Sequence, residues 1–327
     1  MMTHNDDSFA TMLLMSQITP QREELVRPLS TGEWHALHAQ VRDQGMAMGE
    51  LMGMDMSGMM MRLGLSEGEA YRLCVLLGRV LPLSMCLERF AQQGIQVITW
   101  GQALYPVRLR QRLGDKAPPM VYVAGRPELF RQDAVAILGG KGGQGQEERV
   151  RALARMAVEK GYTIITDGAP GLSRAAQDEA RRQGGRTLEV VSGGLAGRVE
   201  EADMAACLGD RSGAALALIH PDAPHTVSHA LERNKCLYAL AHAAFVFGVD
   251  QGRSAAYQGV CQALQRRWVD FLYAWDDPAS PDSQALLAKG ATPMGEITPQ
   301  AFDRMDRAWQ GATARQMSLF DRDMPLA

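Results

Sequence analysis

The chain has 327 residues, 46% hydrophobic and 22% charged, the composition of an ordinary globular protein rather than a fibrous or low-complexity one. Its formal net charge of -3 excludes a protein that grips nucleic acid by overall positive charge and leaves room only for a local basic groove. The length exceeds what one compact core usually needs, so a main α/β domain with smaller appendages is expected.

The five cysteines (Cys74, Cys86, Cys207, Cys236, Cys261) form an odd set without CxxC spacing, which reads as reduced thiols of a cytosolic protein and against zinc. No basic stretch leads into an apolar run at the start, and no 18-residue apolar segment occurs, so neither export nor a membrane span is expected and the location reads as cytoplasmic.

From Phe9 to about Phe90 the pattern is helical. Ser30 or Thr31 is placed to cap a helix carrying Trp34, Leu37, His38 and Val41, with Gly45 as its stop; Ser66 caps a second with Ala70, Leu73, Leu76, Leu77 and Val80 as its stripe. Residues 1–92 are therefore expected to form a small all-α N-terminal module. Within it Met46, Met48, Met52, Met54, Met56, Met59, Met60 and Met61 could offer thioethers to Cu(I), but with no Cys or His interleaved they read as adaptable packing.

Residues 93–276 alternate strand and helix. Ile95–Thr99, Met120–Ala124, Val135–Leu138, Tyr162–Thr166, Thr187–Val191, Ala215–Ile219, Ala244–Phe247 and Val269–Tyr273 read as strands, mostly continuous apolar runs of the kind covered on both faces. Helical segments lie between them, clearest at Glu147–Lys160 and Arg174–Gln183. The fold class is α/β, a doubly wound, mainly parallel, Rossmann-like sheet. Residues 277–327 look looser, with DDPASPDS followed by a short helical stretch, and read as a linker ending in a short apolar cluster.

Ligands of such sheets gather at the carboxyl ends of the strands. There the sequence places Gly139, Gly140, Lys141, Gly142 and Gly143, where backbone N–H groups, a helix N-terminus and one lysine could hold an anion. The loop fits neither GxGxxG nor GxxxxGK[ST], and a tight turn would account for its glycines alone. Three further stretches repeat the architecture or add cations. Gly168, Ala169 and Gly171 precede a helix with Arg174 in its first turn. VVSGGLAG follows from Val190, and Arg233, Asn234 and Lys235 precede another strand.

The ordered series YPVRLRQRLGDKAPPMVYVAG, AVAILGGKGG, GYTIITDGAPGLSRAAQDEARRQGGRTLEVVSGGL and HPDAPHTVSHALERNKCLYALAHAAFVFG resembles the DprA/Smf DNA-processing family over roughly Ile95 to Tyr273. That family is related to the lonely-guy phosphoribohydrolase domains. The helices with GLSEGEA are similar to the SAM or helix-hairpin-helix-like modules that often precede it. The resemblance implies single-stranded DNA binding, protection of incoming DNA as in natural transformation, and loading of a RecA-type recombinase, without catalysis. It puts Lys141 where the family usually has the arginine of G-S-R, matches Gly168, Ala169 and Gly171 to S-G-G-A-x-G-[IV]-D, and Arg233, Asn234 and Lys235 to R-N-[RK]. Thr166 and Asp167 replace Ser-Gly, Ser173 replaces an aspartate, and Gly252, Arg253 and Ser254 match the later G-G-T or S-G-S loop only loosely, which marks a divergent member.

Gly139, Gly140, Lys141, Gly142, Gly143, Gly168, Ala169, Gly171, Arg174, Arg233, Asn234, Lys235 and Arg253 are thus the candidate DNA and phosphate contacts, with Arg181, Arg182 and Arg186 nearby in sequence and Tyr257 as a stacking face. Two rivals use the same pocket: a nucleotide-ligand sensor, with phage defence as one setting, and a phosphoribohydrolase. The hydrolases carry PGGxGTxxE, whereas DQGRSAAYQGV has no glutamate at that spacing. Glu189 reads as mid-strand, Glu200 and Glu201 as surface residues, and His220, His225 and His229 as hydrogen-bonded surface residues across a Pro-containing turn. No catalytic constellation, cofactor or metal site is expected. In the tail, RQMSLFDRD from Arg315 resembles the QL[SD]LF peptide that docks on the sliding clamp, with Gln316, Met317, Leu319 and Phe320 as its contacts; folding back on the main domain is the other reading. The apolar stretch Ala230–Ala244 could support a homodimer.

Overall fold

The computed structural model describes residues 5–18, 26–142, 144–249, 254–278 and 280–320, with 144 and 312–320 described by backbone alone. The chain opens with helices α1 (Asp6–Met15), α2 (Thr31–Asp43), α3 (Met56–Leu63), α4 (Glu67–Leu77) and α5 (Val80–Gln92), then β1 (Ile95–Thr99), α6 (Val107–Leu113) and β2 (Met120–Gly125). It goes on through β3 (Ala134–Gly139), α7 (Gln144–Glu159), β4 (Thr163–Thr166), α8 (Leu172–Arg182), β5 (Thr187–Val191), α9 (Leu195–Glu200), α10 (Ala202–Gly209), β6 (Gly213–Ala217), α11 (Val227–Leu240), β7 (Ala243–Phe247), α12 (Ala255–Arg266) and β8 (Phe271–Ala274). Last come α13 (Pro281–Ala288), β9 (Thr292–Pro293) and α14 (Pro299–Phe320). Every strand read from the sequence forms. β6 starts two residues before, and β8 two residues after, the position expected, because unbroken apolar runs carry no internal mark of register.

Contacts divide the chain into two compact units, Met1–Arg131 with Leu188–Cys236, and Gln132–Thr187 with Leu237–Ala327. In the first, β2 lies between β1 and β6 and is antiparallel to both, with Ile95 opposite Ala124, Thr99 opposite Met120, and Tyr122 opposite Ala217. The helices of residues 1–92 have no core apart from these strands. Leu13, Leu14, Trp34, Leu51, Leu73, Leu76 and Phe90 share one apolar cluster with Ile95, Val97, Met120, Tyr122 and Ala215. Capping boxes at Ser30 with Glu33 and at Ser66 with Glu69 fix where α2 and α4 begin. The methionine patch is packing: Met46, Met48 and Met59 are buried in this cluster, Met52, Met54 and Met56 lie against it, and Met60 and Met61 are exposed.

In the second unit β3 pairs with β4 and β7, β7 with β8, and β8 with β9, all parallel. Its strands are buried along nearly their whole length, as the continuous apolar runs require. Val150, Leu153, Ala154 and Ala157 of α7 and Leu172, Ala176 and Ala180 of α8 pack with Val135, Ile137, Ile164 and Phe245. Parallel strands crossed by helices make the Rossmann-like class expected from the sequence.

One expectation is corrected. Residues 277–311 are no loose linker: Pro281 starts α13 behind the Ser280 cap, and α14 buries Phe302 and Trp309 in the same core as Phe245 and Tyr273. Trp309 donates its indole N–H to the Tyr273 hydroxyl at 3.3 Å, and Tyr162 donates to Asp306 at 2.6 Å. The apolar stretch 230–244 is consumed within the chain, since Ala230 and every residue from Cys236 to Ala244 are buried. No single helix among the described residues is long and apolar enough to cross a membrane.

Candidate nucleic-acid interface

In the second unit the loops after β3, β4 and β7 are tied together by backbone and short side chains. Ser173 both donates its hydroxyl to the Gly139 carbonyl at 3.2 Å and accepts from the Gly139 N–H at 3.0 Å, while the Leu172 N–H donates to the Gly140 carbonyl at 2.9 Å. The positions of glycine follow from this proximity. A Cβ at Gly171, where φ is +105°, would lie 2.3 Å from the Gly140 oxygen; one at Gly139 would lie 2.8 Å from the Phe247 oxygen; one at Gly142 would meet the Leu172 side chain at 2.6 Å. Gly168, at φ +68°, takes a left-handed turn held by Thr166 Oγ1, which accepts the Gly168 N–H, and by Asp167, which accepts the Ala169 N–H. Thus Thr166 and Asp167 build this turn, and Ser173 ties the start of α8 to the β3 loop; all three are positions that depart from the pattern the sequence resembles.

The candidate cations divide by what they already hold. Arg174 folds back and donates to the Gly168 carbonyl at 3.0 Å, bracing its own loop. Arg182 pairs with the buried Glu179 at 2.7 Å, together with Arg155 at 3.2 Å, and the Arg182 hydrogen bond is the chief cause that brings the Glu179 carboxyl down to about 2. Arg186 donates to the Gly161 carbonyl at 2.7 Å. Lys141 is exposed and makes no ion pair with any described residue. Tyr257 sits in the first turn of α12, its N–H held by the Ser254 hydroxyl.

Arg233, Asn234 and Lys235 lie in the first unit, in the middle of α11. Arg233 and Asn234 are buried, and Arg233 donates to the Val190 carbonyl of β5 at 3.1 Å. Lys235 pairs with Glu232 at 2.5 Å. The VVSGG turn after β5 places Ser192 2.6 Å from His225 Nδ1, and His229 Nδ1 lies 3.0 Å from the Pro224 carbonyl; both histidines are hydrogen-bonded surface residues, as expected. His220 accepts the Asp222 N–H at 3.2 Å but is not at the surface: it is buried, edge-on to Phe90 and Tyr122. Glu189 is mid-strand and buried, bridged at 2.7 and 2.9 Å by Arg198, which also holds Asp203 and Glu201. Gly143 and Arg253 lie outside the described residues, as do the side chains of Gln316, Met317, Leu319 and Phe320. Among the described residues no cluster of His, Cys, Asp and Glu could hold a metal ion.

A cavity of about 210 Å³ opens beside Lys141, lined by Gln146, Trp275 and the start of α13. Sequence reasoning missed this wall. The signal was present in Ser280-Pro281-Asp282-Ser283, a cap residue followed by proline at the first helical position, which were read as part of the loose stretch ahead of a short helix.

Parallel strands with glycine turns at their carboxyl ends define a Rossmann-like α/β protein of the kind whose ligands meet that edge. A family model for DNA recombination-mediator protein A matches residues 96–301, and the chain belongs to that family. Two solved structures share the fold at low identity. DNA processing protein A from Streptococcus pneumoniae is 16% identical with a TM-score of 0.56, over 84% of this chain and 96% of that one. The DNA processing protein A of Helicobacter pylori, described for its single-stranded DNA binding mode, is 18% identical with a TM-score of 0.53, over 66% and 98%. A comparison with curated protein sequences finds no match.

Proposed function

We propose that this protein binds single-stranded DNA in DNA recombination or processing, through the loops at the carboxyl ends of β3 and β4, and that it acts by binding rather than by catalysis. Lys141 carries the reading: an exposed cation without a partner among the described residues, on a loop whose backbone is locked by Ser173 and Leu172. A phosphate diester needs a cation held at low entropic cost, and the stitched loops provide that. The family and the binding described for the Helicobacter pylori relative support the choice of polymer. Arg174 then acts by holding the β4 loop and Arg233 by holding β5, and Asn234, Gly143 and Arg253 complete the set of candidate contacts.

The finer parts follow the resemblance: protection of the strand, loading of a RecA-type recombinase, and docking of Gln316, Met317, Leu319 and Phe320 on a sliding clamp. Fluorescent oligo-dT titrated at two salt concentrations tests the core of it. Lys141→Glu is expected to weaken binding at low salt by tenfold or more and to flatten the salt dependence by about 0.7 in logarithmic slope for each phosphate no longer neutralised. Unsaturable binding in the parent chain at low salt, or an unchanged curve in the variant, refutes the reading. A clamp pull-down that survives Leu319→Ala with Phe320→Ala refutes the docking peptide.

A further inference from the structure

The cavity beside Lys141 sits at the carboxyl ends of β3, β7 and β8, within the second unit, and DNA binding at the loop rim does not require it. Its volume of about 210 Å³ is far above the ~30 Å³ share of one liquid water, so it has room for a small organic molecule. Its wall is polar. Lys141 comes from the β3 loop, Gln146 from α7, and Ser280, Asp282 and Ser283 from the start of α13, around the backbone of Gly142 and Gly248.

Three of these side chains are uncommitted. Lys141, Gln146 and Ser283 make no side-chain hydrogen bond to any described residue, although Arg174 of the same unit is committed to the Gly168 carbonyl. An ammonium, an amide and a hydroxyl facing one concave space make a donor set for an anion with several acceptor oxygens, a phosphate above all. Asp282 argues for what surrounds that phosphate. Its carboxylate repels a bare inorganic anion filling the cavity but accepts hydrogen bonds from hydroxyl groups. We infer that this cavity binds a small sugar phosphate: the phosphate monoester meets Lys141, Gln146 and Ser283, and the hydroxylated carbons lie toward Asp282 and Ser280.

Two sources share that chemistry, a free sugar phosphate and the 5′-phosphorylated end of a DNA strand. The experiment uses the full chain, with calorimetric titration and thermal melting against ribose 5-phosphate, ribose and inorganic phosphate. Ribose 5-phosphate is expected to bind and to raise the melting temperature, with inorganic phosphate weaker and ribose inert. Ser283→Ala and Gln146→Ala should each weaken it by about tenfold, the loss expected for one hydrogen bond to a charged group. Ser283→Asp should abolish it. Should Ser283→Asp misfold, the two alanine variants carry the test.

Equal responses to ribose and ribose 5-phosphate, no response to either, or full affinity in both alanine variants overturns the inference. Displacement of bound ribose 5-phosphate by 5′-phosphorylated oligo-dT, but not by the unphosphorylated strand, supports the site and assigns it to strand ends. Equal behaviour of the two oligonucleotides, with ribose 5-phosphate still bound, supports it as a site for a free metabolite. Oligo-dT binding without ribose 5-phosphate binding sinks only the cavity, and the converse sinks only the DNA reading.

Discussion

Replacing Arg198 with methionine tests whether Glu189 is a structural carboxylate rather than a catalytic one. Glu189 is 2% exposed on β5 and Arg198 8% exposed on α9, joined by two hydrogen bonds of 2.7 and 2.9 Å. Arg198 also grips Asp203 at 2.7 and 2.8 Å and Glu201 at 2.9 Å, so one guanidinium is shared by three carboxylates. Glu201, at 59% exposed, is solvated and contributes about 0–1 kcal/mol. Glu189 is almost fully shielded from water, and Arg198→Met takes away its guanidinium at a cost of about 3–5 kcal/mol. That is a large part of the roughly 5–15 kcal/mol typical of a folded domain. Adding Glu189→Leu removes the buried carboxylate as well and should recover most of the loss, leaving the double variant within about 2 kcal/mol of the parent. Urea unfolding followed by far-ultraviolet circular dichroism reads both as shifts in midpoint. A single variant within about 1 kcal/mol of the parent, or a double variant no better than the single, refutes the argument. Glu189→Gln, which keeps the shape, should leave oligo-dT binding unchanged.

Glu179 has a carboxyl held down at about 2, chiefly by Arg182 and with Arg155 and Gln183, so its folded state prefers the charged form. The stability it adds is fully present above the ordinary carboxylate range and is lost as pH falls through that range toward 2. Its arginine partners are open to solvent, which discounts the contribution to the order of 1–2 kcal/mol. Glu179→Gln should therefore flatten acid unfolding curves between about pH 5 and 2, and an unaltered acid limb counts against the cluster. Gly171→Ala should cost about 1–3 kcal/mol through the +105° φ and the 2.3 Å approach to Gly140, and should weaken oligo-dT binding because the Lys141 loop must move. An alanine variant with the parent's melting temperature and affinity rejects the interlocked loops. Trp309→Ala should lower stability by about 3–5 kcal/mol, since the ring is buried against Tyr162, Phe245 and Phe302. A loss under about 1 kcal/mol would detach α14 from the core.

The strands and the capped helices α2 and α4 were legible because each carries a local signature: a continuous apolar run, or a serine followed three residues later by glutamate. The C-terminal α14 was not. Its buried Phe302 and Trp309 stand seven residues apart among charged neighbours, too sparse to register as an amphipathic stripe without the partners Tyr162 and Tyr273, which come from distant parts of the sequence. At the candidate site, Lys141 could be picked out because it is the single cation in a glycine run. The roles of Arg174 and Arg233 could not, since whether an arginine faces solvent or braces a carbonyl depends on the loop or strand that folds over it. His220 shows the same limit: its ring sits edge-on to Phe90 and Tyr122, more than 90 residues away in sequence.

Glycine-rich turns after strands are usually read as room for a ligand's approach, yet here most of that room is filled by protein. The Cβ positions of Gly139, Gly142 and Gly171 are occupied by the Phe247 carbonyl, the Leu172 side chain and the Gly140 carbonyl. Gly140 alone among these has no neighbour closer than 3.5 Å. On the proposed reading the glycines therefore serve the ligand indirectly. They let the β3, β4 and β7 loops close on one another, so that Lys141 projects from a backbone with little freedom left to lose on binding. It follows that a glycine variant and a lysine variant at this loop should fail differently. Lys141→Ala should lower affinity without lowering the melting temperature, because its side chain holds nothing among the described residues. Gly171→Ala should lower both together, because the affinity of the lysine depends on the rigidity that the glycine permits.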